Sequence, residues 1–119
     1  MLTREQFEDY CFSLPHTTHV VQWGNASVFK IGGKIFAIYS RWDDGDRDII
    51  SFKASDQSFA ILPTQDGIQA AKYLARAKWV QVSDEAGWDA ETFHAYIKNA
   101  YDLIYAKLPK KVRTALEEG

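Results

Sequence analysis

A pair of glycines, Gly32-Gly33, separates two short runs of apolar and β-branched residues, VFKI and KIFAIYS. A two-residue turn of type I′ needs positive φ at both central positions, and glycine adopts such angles without strain. Runs rich in Val, Ile, Phe and Tyr favour extended strands. The stretch therefore predicts a β-hairpin, so the fold must contain an antiparallel pair of strands at this point.

The two-residue turn also predicts which residues face each other. Pairing outward from the glycines joins Ile31 with Lys34, and then Lys30 with Ile35 and Phe29 with Phe36. Because cross-strand partners share a face, one face is predicted to be the core face, with Phe29, Ile31, Lys34, Phe36 and Ile38. The other face is predicted to carry Val28, Lys30, Ile35, Ala37 and Tyr39, so Lys30 and Lys34 point to opposite sides.

Helix signals lie on both sides of the hairpin. Thr3 followed by Gln6 is a capping-box pattern, and Pro15 ends the helix that starts there at about Ser13. Asp89 is a helix cap that precedes a long helical stripe, which Pro109 interrupts. The residues of that stripe are apolar and follow helical spacing: Phe93, Ile97, Tyr101, Ile104 and Leu108.

Further elements complete the predicted layout. IISFKA and KWVQVS are typical of strands, Ser55 caps a short helix that Pro63 stops, and residues 64–71 are left as loop. After Pro109 the chain is predicted to end in a short helix or a frayed tail. Helical stripes need an apolar partner, and the sheet is the large one available. The fold class is therefore α+β, an antiparallel sheet with helices packed on one face.

Length and charge limit the function. With 119 residues the chain fits one domain, residues 1–119. Its 14 basic and 16 acidic residues give a net charge of −2, whereas strong non-specific nucleic-acid binders usually have a basic excess. Basic residues do cluster locally, at 72–78 and at 98–113. One cysteine, no signal core and no transmembrane run predict a cytoplasmic protein.

The reactive residue types do not form an enzyme signature. Cys11 falls on the apolar face of the first helix and is predicted to be a buried structural thiol. His16 and His19 lack the further ligands of a zinc site. The acidic loop Asp43–Asp48 lacks the ligand order of a calcium loop, so we interpret this loop as a solvated hairpin tip. We therefore predict no catalytic residue, no metal and no cofactor.

One sheet face is predicted to lie open. It would carry Lys30 and Tyr39, with residues from 49–53 or 78–83. Lysines interleaved with aromatic rings can bind single-stranded nucleic acid, since bases stack and phosphates pair with the ammonium groups. The same composition also fits a partly solvated sheet or a protein contact, and both alternatives stay open at this point.

Four segments resemble the MmcQ/YjbR-like proteins, in order and spacing along nearly the whole chain: SLPHTTHVVQWG, VFKIGGKIFAIYS, YLARAKWVQV and AYDLIYAKLPKKVR. The resemblance implies a fold similar to the two-layer frataxin/CyaY-like sandwich. It also implies DNA binding, for which a double-wing arrangement of hairpins has been proposed in the family.

These considerations give one leading hypothesis and two alternatives. The leading hypothesis is DNA binding by charge neutralisation, with phosphate contacts from Lys30, Lys34, Lys53, Lys72, Arg76, Lys78, Lys110, Lys111 and Arg113. The first alternative is a non-enzymatic protein-interaction module that uses the open sheet face. The weaker one is a small-ligand or metal role by analogy with frataxin, for which the first helix offers only Glu5, Glu8 and Asp9.

Overall fold

The computed structural model describes residues 1–41, 47–71 and 74–118. Within them, four helices and six strands follow one another along the chain: α1 (Arg4–Phe12), β1 (Thr17–Gln22), β2 (Ala26–Ile31), β3 (Lys34–Ser40), β4 (Ile49–Lys53), α2 (Asp56–Ile61), β5 (Ile68–Ala70), β6 (Trp79–Val82), α3 (Ala90–Lys107) and α4 (Lys110–Glu118). Short 3-10 turns lie at Leu62–Thr64, Ala75–Ala77 and Asp84–Ala86.

The predicted helix starts are confirmed. Thr3 accepts a hydrogen bond from the backbone N–H of Gln6, and the Gln6 side chain accepts one from the Thr3 backbone, so the capping box is complete. Ser55 accepts a hydrogen bond from the backbone N–H of Ser58 and caps α2, and Asp89 accepts one from that of Thr92 and caps α3. These side chains satisfy amide groups that have no partner within the helix, so the sequence itself fixes where the helices begin.

The strands form one antiparallel sheet in the order β1-β2-β3-β4-β6-β5. β1 and β5 are thus its two edges. β5 lies within residues 64–71, which were predicted to be loop. The prediction missed this strand because its three residues, IQA, are too few to show a strand pattern. The α+β architecture with an antiparallel sheet is confirmed.

The hairpin at Gly32-Gly33 is confirmed, but its register changes part-way. Ile31 pairs with Lys34 and Lys30 with Ile35, as predicted, whereas Phe29 pairs with Ala37 rather than with Phe36. Phe36 is therefore the extra residue of a β-bulge, which shifts the alternation beyond it by one position.

The bulge corrects the predicted faces of β3. Ala37 and Tyr39 join Phe36 in the cluster beneath the helices, and Ile38 lies on the opposite face. The helix-covered cluster also contains Phe7 of α1 and Phe93 of α3.

The central part of the second sheet face is not open, which contradicts the sequence prediction. Its residues Val28, Ile38, Ser51, Trp79 and Gln81 are all buried. The reason lies in the segment after β5: Ala71 belongs to this apolar cluster, and Leu74 packs against it. The prediction of a mixed lysine and aromatic surface on this face is therefore wrong. Tyr39 belongs to the helix-covered face instead.

Among the described residues, no helix combines the length and the apolar character that crossing a membrane would require.

Candidate nucleic-acid interface

One end of the sheet gathers basic side chains from separate parts of the sequence. The Gly32-Gly33 turn lies at this end, and Lys34 follows it directly. β4 runs antiparallel to β3 and finishes here at Lys53. We call the following group the basic end: Lys34, Lys53, Arg76, Lys78, Lys107, Lys110, Lys111 and Arg113.

The junction between α3 and α4 sits on the hairpin turn. Gly32 has a φ of +58°, and a Cβ atom at this position would lie 2.6 Å from Leu108 Cδ1 and 3.1 Å from Val112 Cγ1. The turn therefore needs glycine both for its backbone angle and for the space it leaves. This close approach fixes the end of α3 and the start of α4 beside β3, and so locates their lysines.

Lys53 is the buried member of the basic end. Its side chain is 7% exposed, and its Nζ atom donates a hydrogen bond to the carbonyl oxygen of Ala77 at 2.5 Å. Burial lowers the pKa of Lys53, and the positive charges of Lys107 and Lys78 lower it further, against the opposing effect of Asp56. Through this hydrogen bond to Ala77, Lys53 stabilises the position of the segment 75–78.

The segment 75–78 presents two further cations. Lys78 has a φ of +64°, and its Nζ atom lies 5.2 Å from the centre of the Phe59 ring. Such a cation–π contact holds the ammonium group over the ring without neutralising it. Arg76 is exposed. A backbone bond from Ala54 N–H to the Lys78 carbonyl, at 2.9 Å, ties this segment to the end of β4.

The two C-terminal helices supply the remaining cations. Lys107 ends α3, and Lys110 and Lys111 open α4; all three are exposed. The first turn of a helix carries a partial positive charge, which adds to that of Lys110 and Lys111. Arg113 is half-buried, and its Nε atom is buried without a hydrogen-bond partner.

The basic end includes seven of the nine predicted phosphate-contacting residues, all except Lys30 and Lys72. Lys30 is half-buried on the sheet face away from the helices, one pair further from the turn. Lys72 lies outside the described residues, as do Asp43, Asp44 and Asp46 of the predicted acidic hairpin tip. The sequence prediction did not include Lys107. Its position in the last turn of the predicted long helix, just before Pro109, could have indicated that it lies near Lys110 and Lys111.

The opposite end of the sheet, which we call the paired end, carries arginines with carboxylate partners. Arg41 Nε lies 2.7 Å from Asp48, and Arg47 Nη1 lies 2.6 Å from Glu85. The Tyr39 hydroxyl donates to Asp48 at 2.9 Å. Burial alone would raise the pKa of Asp48, but the hydrogen bonds from Arg41 and Tyr39 lower it overall.

A polar trio links α1 to the sheet nearby. The Ser27 hydroxyl donates to Glu8 Oε2 at 2.6 Å, and His19 Nε2 lies 2.8 Å from the same hydroxyl. Arg4 Nε lies 3.3 Å from the Glu8 carboxylate. Ser27 is fully buried, and its bond to Glu8 connects α1 to the sheet. Its members are 8, 11 and 19 residues apart, which no sequence motif would connect.

The sequence also offers His, Asp, Glu and Cys side chains as candidate metal ligands or nucleophiles. No cluster of three His, Cys, Asp or Glu side chains that could hold a metal occurs in the described parts of the chain. Cys11 is fully buried as predicted, and burial raises the pKa of its thiol, with a further increase from the charge of Glu8.

Comparison with known proteins identifies the family of this chain. A model of the family described as YjbR matches residues 12–103. The chain belongs to the YjbR family. The expected resemblance is thereby confirmed over most of the sequence. No curated protein matches this YjbR chain significantly.

Two solved structures share the fold of this YjbR protein. The Deinococcus radiodurans protein DR2400, described as a DUF419 domain, is 22% identical, with a TM-score of 0.83 over 98% of this chain and 89% of its own. A protein from Pseudomonas syringae is 23% identical, with a TM-score of 0.71 over 86% of this chain and 98% of its own. At these identities the likeness concerns the fold.

Proposed function

We propose that this YjbR protein binds DNA electrostatically, with the basic end on the sugar-phosphate backbone. The proposal rests on one observation: within the described residues, none of the cations at the basic end forms an ion pair with a carboxylate. Unpaired lysines can release counterions from DNA when they approach phosphate, which is the main source of sequence-independent affinity.

The overall negative charge does not oppose such a role. Arginines at the paired end already have acidic partners, and Lys98 in the middle of α3 lies 2.6 Å from Asp102. Paired charges contribute little field beyond a Debye length of about 8 Å at physiological ionic strength. The local excess at the basic end therefore matters more for a phosphate ligand than the net charge of −2.

The cations at the basic end have two different roles in this proposal. The exposed ones can reach phosphates, and they are Lys34, Arg76, Lys107, Lys110 and Lys111. Lys53 cannot, because it is buried, and instead it supports the segment that carries Arg76 and Lys78. Lysine ends on flexible stems suit phosphate neutralisation rather than base recognition, so we expect no sequence preference.

The same proposal describes a cytoplasmic protein without catalytic activity. Ser27, whose hydroxyl contacts Glu8 and His19, is fully buried, and so is Cys11. A free buried thiol is compatible with a reducing compartment. The alternative of a protein-interaction module is less well supported, because the centre of the second sheet face is buried.

The test is a titration of a labelled random-sequence duplex by fluorescence anisotropy at salt concentrations from roughly 50 to 200 mM. Five phosphate contacts predict a slope of about −4.5 in a plot of log affinity against log salt, since each contact adds about −0.9. We expect a dissociation constant of about 10⁻⁴ to 10⁻⁶ M near physiological salt. Absence of binding, or an affinity that does not change with salt, contradicts the proposal.

A further inference from the structure

The edge strand β1 lacks the features that usually keep a sheet edge from pairing. Its sequence, TTHVVQ, contains no Lys, Asp, Glu, Pro or Gly, and it pairs with β2 over all six residues without a register shift. Natural edges are typically short, charged, bulged or interrupted by proline. The other edge, β5, has only three residues and so follows that rule.

Exposed apolar side chains concentrate beside this edge. Among the described residues, five large apolar side chains are exposed, and three belong here: Phe12 at 56%, Val21 at 50% and Trp23 at 51%. Phe12 ends α1 and contacts the ring of His19 in the middle of β1, with 5.2 Å between ring centres. Val21 lies two residues further on the same face, and Trp23 follows the strand directly.

We propose that β1 pairs antiparallel with β1 of a second copy of this chain, joining two sheets into one. The inference is independent of DNA binding. An antiparallel pair of identical strands has a two-fold axis near the middle of the strand. Because Phe12 packs against the strand centre, such an axis brings the two copies of Phe12 close together on the helix-covered side, with the two copies of Val21 around them.

Charge and area both suit a second copy. Two charged residues beside the edge on this side, Arg4 and Glu8, pair with each other at 3.3 Å, so this pair adds no net charge where two copies would meet. Each half-exposed aromatic ring offers about 100 Å² for burial. With Val21 and the strands themselves, the total is about 1,000 Å², near the lower limit for specific association. A weak dimer, about micromolar or weaker, is therefore expected.

The test combines analytical ultracentrifugation over a concentration series with two matched variants. Val21→Lys places a charge at the edge, and Ile61→Lys places the same charge at another exposed apolar residue, which is 60% exposed in α2. We expect the wild-type to dimerise, Val21→Lys to weaken the dimer by about tenfold or more, and Ile61→Lys to leave it unchanged. Thermal unfolding checks that both variants fold.

Hydrogen exchange on the wild-type protein tests the geometry without mutation. The amides within residues 17–22 that point away from β2 should gain protection as concentration rises, whereas those of residues 68–70 at the other edge should not. The proposal is overturned by a monomer at all concentrations, by a dimer that leaves the β1 amides unprotected, or by a Val21→Lys protein that dimerises like the wild-type.

Discussion

The two ends of the sheet use positive charge in opposite ways. At the paired end, Arg41 and Arg47 bind Asp48 and Glu85, and the Tyr39 hydroxyl adds a further hydrogen bond to Asp48. At the basic end, the described lysines and arginines have no carboxylate partner, and the one buried cation, Lys53, bonds to a backbone carbonyl. Charge at the first end contributes to the fold, whereas charge at the second remains available for a ligand.

This difference shows why the total charge of a small protein does not describe its local charge. The same composition would give a neutral surface if the lysines at 107, 110 and 111 were each paired with one of the acidic residues. What matters is that the topology separates paired from unpaired cations.

The largest expected effect concerns the turn that organises the basic end. Gly32→Ala adds a Cβ atom against Leu108 and Val112 at a residue with positive φ, and Leu108 is itself buried. Backbone strain and overpacking together should lower the free energy of unfolding by about 2–3 kcal/mol. Urea denaturation measures the change.

Gly33→Ala is the matched control for that turn. Gly33 has a φ of +82° but faces open space, so it should lose only about 1 kcal/mol from backbone strain. Equal losses for the two variants would mean that the α3–α4 junction does not rest on the hairpin.

A change in stability of intermediate size should distinguish the paired end from the basic end. Asp48→Ala removes the acceptor for the Arg41 and Tyr39 hydrogen bonds and should lower the free energy of unfolding by about 1–2 kcal/mol. Lys110→Ala at the basic end removes an exposed, unpaired side chain and should change it by less than about 0.5 kcal/mol. A similar loss in both variants, measured by thermal unfolding, would remove the distinction between the ends.

The smallest effect is a pH dependence that arises from Lys53. Its folded-state pKa is lowered from 10.5 by burial and by Lys107, so the unfolded chain binds more protons in the window below 10.5. Stability therefore rises with pH through that window. Tyr39 acts in the opposite sense at higher pH, since burial, followed by its bond to Asp48, raises its pKa.

Comparison of variants isolates the contribution of Lys53. The stability difference between the wild-type protein and Lys53→Met should change as pH rises from neutral towards 10, in favour of the wild-type. Lys34→Met, at an exposed position of the same end, should show no such trend. If both variants behave alike, Lys53 is not held in the buried position described here.

Local features of the fold could be predicted from the sequence because they depend on neighbouring residues. The Thr3–Gln6 capping box, the Asp89 cap and the Gly32-Gly33 turn each require only a few positions, and each forms as expected. The bulge at Phe36 could not be predicted, because Ile35, Phe36 and Ala37 are all apolar and either face would accept them.

The basic end could be predicted only in part. Its lysines were recognised as candidates one by one, but their assembly depends on β4 ending beside the hairpin and on α3 returning to the same end. The burial of Lys53 follows from its bond to Ala77, which is 24 residues away in the chain. Contacts of this kind carry no local signal, so the sequence predicted the residues but not the surface.

Whether the basic end binds phosphate is tested most directly by the salt dependence of DNA affinity for two matched double variants. Lys110→Gln/Lys111→Gln removes two unpaired cations from the basic end, and Arg4→Gln/Lys98→Gln removes two paired cations elsewhere. We predict that the first variant reduces the magnitude of the salt slope by about 1.8 and that the second leaves it unchanged. Equal slopes for both variants, or a larger loss in the second, would contradict this prediction.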